Sequence, residues 1–568
     1  MSRNTDSTAA PRRGIAYEVL RKAYRSGPLP SSDVAIRGSV HRISAQLFRA
    51  AVLFIALAML LPLAYLLYRA GGAGLSEAID LLLRIRTARI LWNSFLLVFG
   101  VTTLSVVVAL PLAWLTERTD LPGRRVWTVL AMMPLVVPSY VGGFALIAMF
   151  GPRGLLQELV SPLGVERLPS IYGFTGALWT LTLFTYPYVF MSVRAALQRF
   201  DSSIEEAARS LGSGGWETFW RVTLPNLRPA IAAGGLLVAL YTLSDFGAVS
   251  LLRYNSFTRA IFVQYLSSFD RHLASLLSLA LVVFTIILLL LERKSRGRGR
   301  PRHYRSGAGV RPPRGRIELA NWRAPALLYC GAIVLAALVM PTTVIFYWLV
   351  RGLASGEALT PVWVATANSF RTGAMAAMVT AVLGFAVAYA AVRLHGRLMG
   401  LAARAVYIGY GLPGIVIALS LVFFGANFAP GIYQTMWMLV FAYVVRFLPQ
   451  AMGAMQISLL QMNPRLEEAG RSLGLGNRAV ILRITAPIVR PGVLAGMALV
   501  FLTTVKELPA TLLLSPTGFS TLATQIWAAT DEAFFTRAAA PALMLLAMSA
   551  LGVFLVLMQE ERELASGN

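Results

Sequence analysis

Apolar runs of about 20 residues, the length that an α-helix needs to cross a bilayer, recur along the whole chain between short polar stretches. Their length predicts helices rather than strands. The pattern gives twelve membrane spans, six in each half: 45–69, 92–117, 126–150, 171–198, 230–252, 273–292, 325–350, 369–392, 404–426, 433–460, 491–515 and 538–559. The sequence therefore predicts an all-α integral membrane protein.

Composition supports this class and explains the strong positive charge. Hydrophobic residues make up 57% of the chain, mean hydropathy is +0.65 and charged residues are 14%, against about 25% in soluble domains. The net charge is +25. If the spans alternate from a cytoplasmic N-terminus, 36 of the 51 Lys and Arg residues lie in cytoplasmic segments. This asymmetry sets membrane orientation, so we expect both termini in the cytoplasm and no nucleic-acid partner.

The chain divides into two related halves. We expect a polar cytoplasmic tail at 1–44, a first half at 45–292, a basic cytoplasmic linker at 293–323 and a second half at 324–568. Asn-Ser-Phe at 93–95 recurs at 368–370, an offset of 275, whereas later markers recur at an offset of 262. Each half has an even number of predicted spans, so the two six-helix halves enter the membrane in the same orientation, as parallel repeats.

The most similar part of the repeat is polar. Residues 205–234 and 467–496 are identical at fifteen of thirty positions without a gap. Each copy predicts a short helix, a glycine turn, a second short helix and a proline before the next span. Asp201 or Ser202 in the first copy, and Asn463-Pro464 in the second, supply helix-start signals. We place these loops at 202–229 and 464–491, both on the cytoplasmic side.

These loops resemble the E-A-A-x3-G-x9-I-x-L-P motif of ABC-importer permeases. The departures are Val222, Gly470 and Ala486. The resemblance implies two fused type I permease cores, at 92–292 and 368–560. It also implies that the two loops couple to two cytoplasmic ATPase subunits. The implied coupling residues are Glu205, Glu206, Ala207, Ala208, Gly212 and Pro225, with Glu467, Glu468, Ala469, Gly470, Gly474 and Pro487.

A second segment narrows the resemblance. Residues 506–514 read KELPATLLL and are followed by TLAT at 521–524, which is similar to ferric-iron permeases. The resemblance implies ferric iron as the cargo, an extracytoplasmic solute-binding protein that delivers it, and a bacterial inner membrane. Related fused permeases carry thiamine, polyamines or organophosphonates, so these cargoes stay open.

The charged residues within predicted spans include Asp245, Arg446, Lys506 and Glu507. Ionised groups in a membrane are costly and are usually functional, so they are candidates for a polar translocation path. The alternative is structural, in which these side chains pair with one another or hydrogen-bond to kinked helices.

The sequence lacks the residues that several classes of chemistry require. No Gly-Lys pair occurs, so the chain has no P-loop, and ATP is expected only on partner subunits. Four scattered histidines and the single Cys330 indicate no metal site, and we expect no cofactor on this chain. An enzyme of the membrane would need a nucleophile–base or metal constellation that we do not find. A transporter driven by ion gradients remains the rival function, although it gives no reason for two polar loops.

Overall fold

A computed structural model of the protein describes residues 34–72, 80, 84–200, 203–267, 271–297, 317–394 and 396–550. Asp201 and Ser202, the first helix-start signal, lie outside these residues, as do most of the polar tail and linker residues 298–316. Within them the secondary structure is helical, apart from one isolated β-bridge. The described structure is therefore all-α, as the sequence predicts.

The helices of the first half are α1 (Val34–Gly71), α2 (Ile85–Arg118), α3 (Arg124–Met132), α4 (Ser139–Phe150), α5 (Leu155–Val160), α6 (Phe174–Arg199), α7 (Ser203–Ser210), α8 (Gly215–Thr218), α9 (Leu224–Ser244), α10 (Gly247–Leu251), α11 (Phe257–Ser267) and α12 (Arg271–Gly297). Single 3₁₀ turns span Met133–Val136 and Ser161–Leu163, and a π-helical turn, Phe219–Thr223, joins α8 to α9.

The helices of the second half are α13 (Arg323–Val334), α14 (Met340–Ala354), α15 (Thr360–Arg393), α16 (Arg397–Tyr410), α17 (Gly414–Phe428), α18 (Met436–Gln461), α19 (Arg465–Ser472), α20 (Asn477–Val480), α21 (Ala486–Val505), α22 (Pro509–Leu514), α23 (Leu522–Asp531) and α24 (Phe535–Ala550). A 3₁₀ turn, Ala320–Trp322, precedes α13, and π-helical turns span Leu335–Val339 and Ile481–Thr485.

Each of the twelve predicted spans coincides with a helix or a bent helix pair. Eight helices of the described residues are long and apolar enough to cross a bilayer, and two bent pairs raise the number to ten. The remaining two predicted spans coincide with α6 and with α24, whose predicted end lies outside the described residues. Large apolar side chains also face outward, among them Phe54 at 72% and Leu328 at 75% exposure. The chain is a multi-pass membrane protein.

Four predicted spans are interrupted where the sequence predicted continuous helices. The span at 126–150 bends by 96° at the α3/α4 junction, and the span at 404–426 is broken between α16 and α17. Pro138 and Pro413 stand immediately before α4 and α17, and a proline disfavours helical geometry in the residue before it. The spans at 230–252 and 491–515 break after Ser244 and Val505, and the short helices α10 and α22 follow.

The predicted start of the first span, residue 45, agrees with the apolar segment Gln46–Gly71 of α1. Helix α1 begins at Val34, so residues 34–44, assigned to the polar tail, are helical.

By contacts the described chain separates into two compact units. One comprises Met1–Leu60, Met375–Tyr410 and Phe447–Phe501, insofar as these are described. In it α18 and α21 pack closely, and a Cβ on Gly496 would lie 3.2 Å from the Cα of Ala451. Phe48 and Tyr389 contact edge-to-face with ring centroids 6.1 Å apart.

The other unit comprises Leu61–Ala374, Gly411–Arg446 and Leu502–Asn568, again within the described residues. A Cβ on Gly234 would lie 2.6 Å from the Cα of Val189 where α9 crosses α6. Gly234 and Val189 occupy the repeat positions of Gly496 and Ala451. The same crossing therefore occurs in both copies, and a small residue permits it.

The end of the basic linker is fixed to the loop after α2. The Ile317 amide donates to the Arg118 carbonyl (3.0 Å), and the Asp120 amide donates to the Ile317 carbonyl (3.2 Å). The Leu319 amide and the Arg323 guanidinium both donate to the Asp120 carboxylate, and these bonds hold the pKa of that carboxyl below its ordinary value. Residues 317–323 were assigned to a solvated linker, and the structure places them against the protein.

Candidate functional site

A buried ion pair holds the first repeated loop in place. The Arg118 guanidinium at the end of α2 donates to the Glu205 carboxylate in α7, and both side chains are at most 7% exposed. The Thr223 hydroxyl, in the π-helical turn, donates to the other oxygen of Glu205 at 2.5 Å. Trp114 and Phe200 flank the guanidinium at 5.9 and 5.5 Å. One carboxylate therefore ties α7 to α2 and to the start of α9.

The second loop has the same arrangement. Arg393 at the end of α15 lies 3.4 Å from the Glu467 carboxylate, and the Thr485 hydroxyl donates to that carboxylate at 2.8 Å. Arg471, one helical turn further along α19, lies 3.4 Å from the second oxygen of Glu467. Thr485 lies in a π-helical turn, as Thr223 does in the first copy. The Arg–Glu–Thr triad is thus part of the repeat.

The two triads change the roles of the predicted coupling residues. Glu205 and Glu467 are 5% and 2% exposed, so they position the loops from inside the protein. Arg118 and Arg393 were not predicted from the sequence because each stood among the basic residues attributed to membrane orientation. A signal was present, since these arginines are 275 positions apart, the offset of the earlier repeat markers.

The outward surface of each loop is formed by the residues that follow the buried glutamate. Glu206 and Glu468 are exposed, as is Ala207, whereas Ala208 and Ala469 are partly buried. The apolar residue before each turn is also exposed, with Leu211 at 87% and Leu473 at 53%. Each loop therefore presents a carboxylate and a leucine side chain from a fixed frame.

Each first helix ends in a turn that requires glycine. Gly212 and Gly474 have φ of +91° and +86°, a region that residues with a Cβ rarely adopt. The Gly212 amide donates to the Arg209 carbonyl, and the Ser213 amide donates to the Ala208 carbonyl. Both backbone bonds recur in the second copy. This Schellman pattern satisfies the last carbonyls of the helix.

The two prolines follow the π-helical turns directly. Pro225 and Pro487 are the second residues of α9 and α21. A proline donates no amide hydrogen bond, so the preceding turn widens where that bond is missing. The proline of the motif therefore belongs to the geometry that brings Thr223 and Thr485 to their glutamates.

One departure from the motif, Gly470, makes room for a buried isoleucine of the same loop. Gly470 replaces the alanine of the motif and is buried, and a Cβ there would collide with Cδ1 of Ile484. The first copy has Ala208 and the smaller Val222 at these two positions. The residue pair is thus Gly–Ile in the second copy and Ala–Val in the first, and the smaller residue of each pair stands opposite the larger in sequence.

We expect Gly470→Ala to destabilise the second loop and Ile484→Val to reverse part of the loss. Overpacking costs about 1–3 kcal/mol, and Ile484, at 2% exposure, has little room to move. Apparent unfolding temperatures of both single variants and the double variant in detergent measure the coupling. Strictly additive shifts would show that the two positions do not compensate.

The intramembrane acid of the first half caps a helix. Asp245 lies in the break between α9 and α10, where one carboxylate oxygen accepts the amides of Ala248 (3.0 Å) and Val249 (3.3 Å). The Ser139 hydroxyl, at the start of α4, donates to the other oxygen. Both oxygens of Asp245 are therefore engaged within the protein.

The equivalent acid of the second half pairs with an arginine. Glu507 lies in the break between α21 and α22, with one oxygen 3.3 Å from Nε of Arg446 and the other 3.5 Å from the amide of Ala510. Gly414 begins α17 at the position that Ser139 has in α4, and a Cβ there would collide with the Arg446 guanidinium. A glycine thus makes room for the arginine.

Lys506 differs from its neighbours. Its ammonium donates to the carbonyl of Leu135, in the turn between α3 and α4, at 3.2 Å. Among the described residues, no carboxylate lies within 4 Å of the Lys506 ammonium, the distance limit for an ion pair. The structure thus brings Arg446 and Glu507 together, places Asp245 with Ser139, and leaves Lys506 with a neutral partner.

The described residues contain no group of three or more His, Cys, Asp or Glu side chains that could hold a metal ion. The TLAT segment has a structural role, because Thr521 and Thr524 form a reciprocal capping box at the start of α23. Tyr443 and Thr511 share a 2.7 Å hydrogen bond near the Arg446–Glu507 pair.

Comparison with known proteins places the chain in a family. The model of the binding-protein-dependent transport system inner membrane component matches twice, at residues 105–293 and 380–563. Two matches on one chain correspond to two fused permease domains.

Similar curated proteins include the Fe(3+)-transport system permease protein FbpB 2 of Haemophilus influenzae, 35% identical over 89% of this chain and 96% of its own length. The ferric transport system permease protein FbpB of Actinobacillus pleuropneumoniae is 26% identical over 73% of this chain and 62% of its own. The molybdenum transport system permease protein ModB of Escherichia coli is 34% identical over 28% of this chain and 69% of its own. The chain belongs to the binding-protein-dependent family of ABC-importer permeases, with two type I domains fused in one polypeptide.

Proposed function

We propose that this chain is the membrane subunit of an ATP-driven importer in a bacterial inner membrane, with both termini in the cytoplasm. The two repeated loops couple to two separate ATPase subunits, and an extracytoplasmic binding protein delivers the cargo. The positive-inside charge distribution supports this orientation. Differential affinity of ATP for two conformations of the assembly would drive the change of access.

The observation that carries this proposal is the duplicated Arg–Glu–Thr triad. A loop that only lay on lipid would need an apolar face and no fixed internal frame. Here a buried carboxylate fixes each loop, while the next glutamate and a leucine are left exposed. A rigid frame with an exposed, mixed surface is suited to a protein partner. The domain boundaries proposed above place one such loop in each half.

Ferric iron is the cargo we propose, because the relative that covers 89% of this chain is named as an Fe(3+)-transport permease. Relatives named for molybdenum and sulfate transport match shorter parts of the chain. Thiamine, polyamines and organophosphonates stay the alternative cargoes. A transporter driven by ion gradients is disfavoured by family membership, since this family works with binding proteins.

Co-purification with the ATPase tests the coupling. We expect Glu206→Arg combined with Glu468→Arg to abolish retention of the ATPase on the tagged chain, because both charges are reversed on the exposed surface. Glu357→Arg, a reversal at a partly exposed glutamate outside both loops, is the matched control and should retain it. Retention by the double variant, or ATP-independent uptake into vesicles, would refute the proposal. Uptake of radioactive iron into vesicles tests the cargo separately.

A further inference from the structure

Three charged side chains at the end of α2 each hold a different element in place. The Glu117 carboxylate accepts from Nε of Arg194 in α6 at 2.5 Å, and Arg118 pairs with the buried glutamate of the first loop. The Asp120 carboxylate accepts hydrogen bonds from the end of the basic linker, residues 317–323. These residues all lie within one compact unit. The end of α2 is therefore the point at which a membrane helix, the first loop and the linker meet.

The linker end is bound to the main chain of the residue that holds the first loop. The Ile317 amide donates to the Arg118 carbonyl at 3.0 Å, at the point where α2 ends. A helix leaves its last carbonyls without partners of its own, so the linker satisfies one of them. The Leu319 amide donates to one oxygen of the Asp120 carboxylate at 2.9 Å, and the Arg323 guanidinium donates to the other. We call these contacts the linker clamp.

The two buried arginines of the triads are held in different ways. Among the residues that the structure describes, the Arg118 guanidinium has Glu205 as its hydrogen-bond partner, and its Nε has none. The Arg393 guanidinium of the second copy also donates to the carbonyls of Leu459 and Met462, at the end of α18, at 3.3 and 3.1 Å. The clamp on the main chain of Arg118 therefore supplies a restraint that the second arginine obtains through its side chain.

The sequence limits the acid of the clamp to the first half. At the repeat offset of 275, the arginine of the triad is kept as Arg393. The position of Asp120 is taken by His395, which has no carboxylate to accept from an amide and a guanidinium together. The repeat thus keeps the arginine in both halves, but it has the clamp's acid only where the linker is attached.

We infer that the linker clamp is part of the coupling machinery, and that Asp120 positions the Arg118 guanidinium and, through it, the first loop. The inference rests on the proposed function, because the position of the loop matters for transport only if the loop couples to an ATPase. Helix α13, the first helix of the second half, begins at Arg323, so the clamp also joins that helix to the frame of the first loop. The first loop is therefore positioned through the linker, and the second through carbonyls of its own half.

Amide hydrogen exchange of the full chain in lipid nanodiscs tests the positioning role. Asp120→Ala removes the acceptor of two clamp hydrogen bonds. We expect exchange to quicken roughly tenfold or more over residues 317–323 and 203–212, and to stay near wild type over 465–474. Glu318→Ala is the matched control, because it removes an exposed carboxylate from the same segment, and it should leave the two loops unchanged.

ATPase activity of the assembled importer tests the coupling role. Asp120→Ala should lower this activity severalfold while the ATPase stays on the tagged chain, because the exposed surfaces of both loops are unaltered. Thr119→Cys with Ile317→Cys, added to Asp120→Ala, should restore the activity on oxidation, and a reductant should remove it again. These two residues form a parallel β-bridge, and paired strands lie close enough for a disulfide. A defect that was merely structural would not follow the redox state of this bond.

Two results would overturn the inference. Faster exchange confined to residues 317–323 would mean that the clamp fastens the linker and does not position the loop. Unchanged ATPase activity in Asp120→Ala would mean that the position of the loop does not matter for coupling. If Asp120→Ala fails to fold, Arg323→Met decides, since it removes one exposed cation of the clamp. Faster exchange over residues 203–212 in that variant supports the clamp, and unchanged exchange there refutes it.

The exchange measurement also keeps this inference apart from the proposed function, since it needs no ATPase. A wild-type chain that retains no ATPase would refute the proposed function, whatever Asp120→Ala does to exchange in the first loop. A chain that retains an active ATPase, with exchange in the first loop and activity both unchanged by Asp120→Ala, would refute the clamp and leave the proposed function intact.

Discussion

Arg118→Met should weaken coupling to the ATPase far more than Arg221→Met, although each removes a guanidinium that pairs with a glutamate of the first loop. Arg118 and Glu205 have side chains 6% and 7% exposed, whereas Arg221 and Glu217 are 78% and 42% exposed. Breaking a buried pair costs about 3–5 kcal/mol because a charge is left buried alone. An exposed pair one helical turn apart contributes about 0.3–0.5 kcal/mol.

Two measurements check this result. Amide hydrogen exchange over residues 203–212 should quicken in Arg118→Met and stay near wild type in Arg221→Met. ATPase activity of the assembled complex should follow the same order. Adding Glu205→Met to Arg118→Met should restore part of the exchange protection, because replacing a whole buried pair by apolar residues is often tolerated. Equal behaviour of the two single variants would show that burial does not set the contribution of Arg118.

Gly414→Ala should destabilise the protein, whereas Gly400→Ala should stabilise it. A Cβ on Gly414 would collide with the Arg446 guanidinium and the Glu507 carboxylate. Displacing that pair combines overpacking, about 1–3 kcal/mol, with damage to a partly buried ion pair. Gly400, inside α16, has no atom within 4 Å of such a Cβ, and alanine there improves helix propensity by about 1 kcal/mol.

Apparent unfolding temperatures in detergent should therefore move in opposite directions for the two glycine variants. A combined Gly414→Ala and Arg446→Met variant separates the causes, because a smaller uncharged side chain relieves the collision but leaves Glu507 without its arginine. A Gly414→Ala variant as stable as the wild type would mean that the guanidinium has room to move. The position next to Pro413 would then tolerate alanine, as Ser139 is tolerated in the first half.

The length of the apolar runs predicted the helices, but it did not predict where the helices break. Apolar composition continues through Pro138, Pro413 and the residues after Ser244, so a window that measures hydropathy reports one span on both sides of a break. Proline signals were present at two of these positions. A proline by itself does not determine whether the chain kinks slightly or turns by about 100°, because the bend angle depends on the helices packed around it.

The candidate site, too, was predicted only in part from the sequence. The sequence identified both loops, their glycine turns and their prolines from the repeat. It gave Glu205 and Glu206 one role, because adjacent glutamates look alike in a motif. The fold separates them, since α7 turns successive side chains by about 100°, which buries the first against Arg118 and exposes the second.

By itself the sequence determined that this is a helical membrane protein with two related halves, because apolar length, charge asymmetry and a repeat are properties of the chain order. Tertiary structure alone decided which charges meet. Arg118 lies 87 positions from Glu205, and Lys506 lies 371 positions from Leu135. Pairing at such separations is set by how helices pack, and the partner of a buried charge is chosen by what lies within reach after packing.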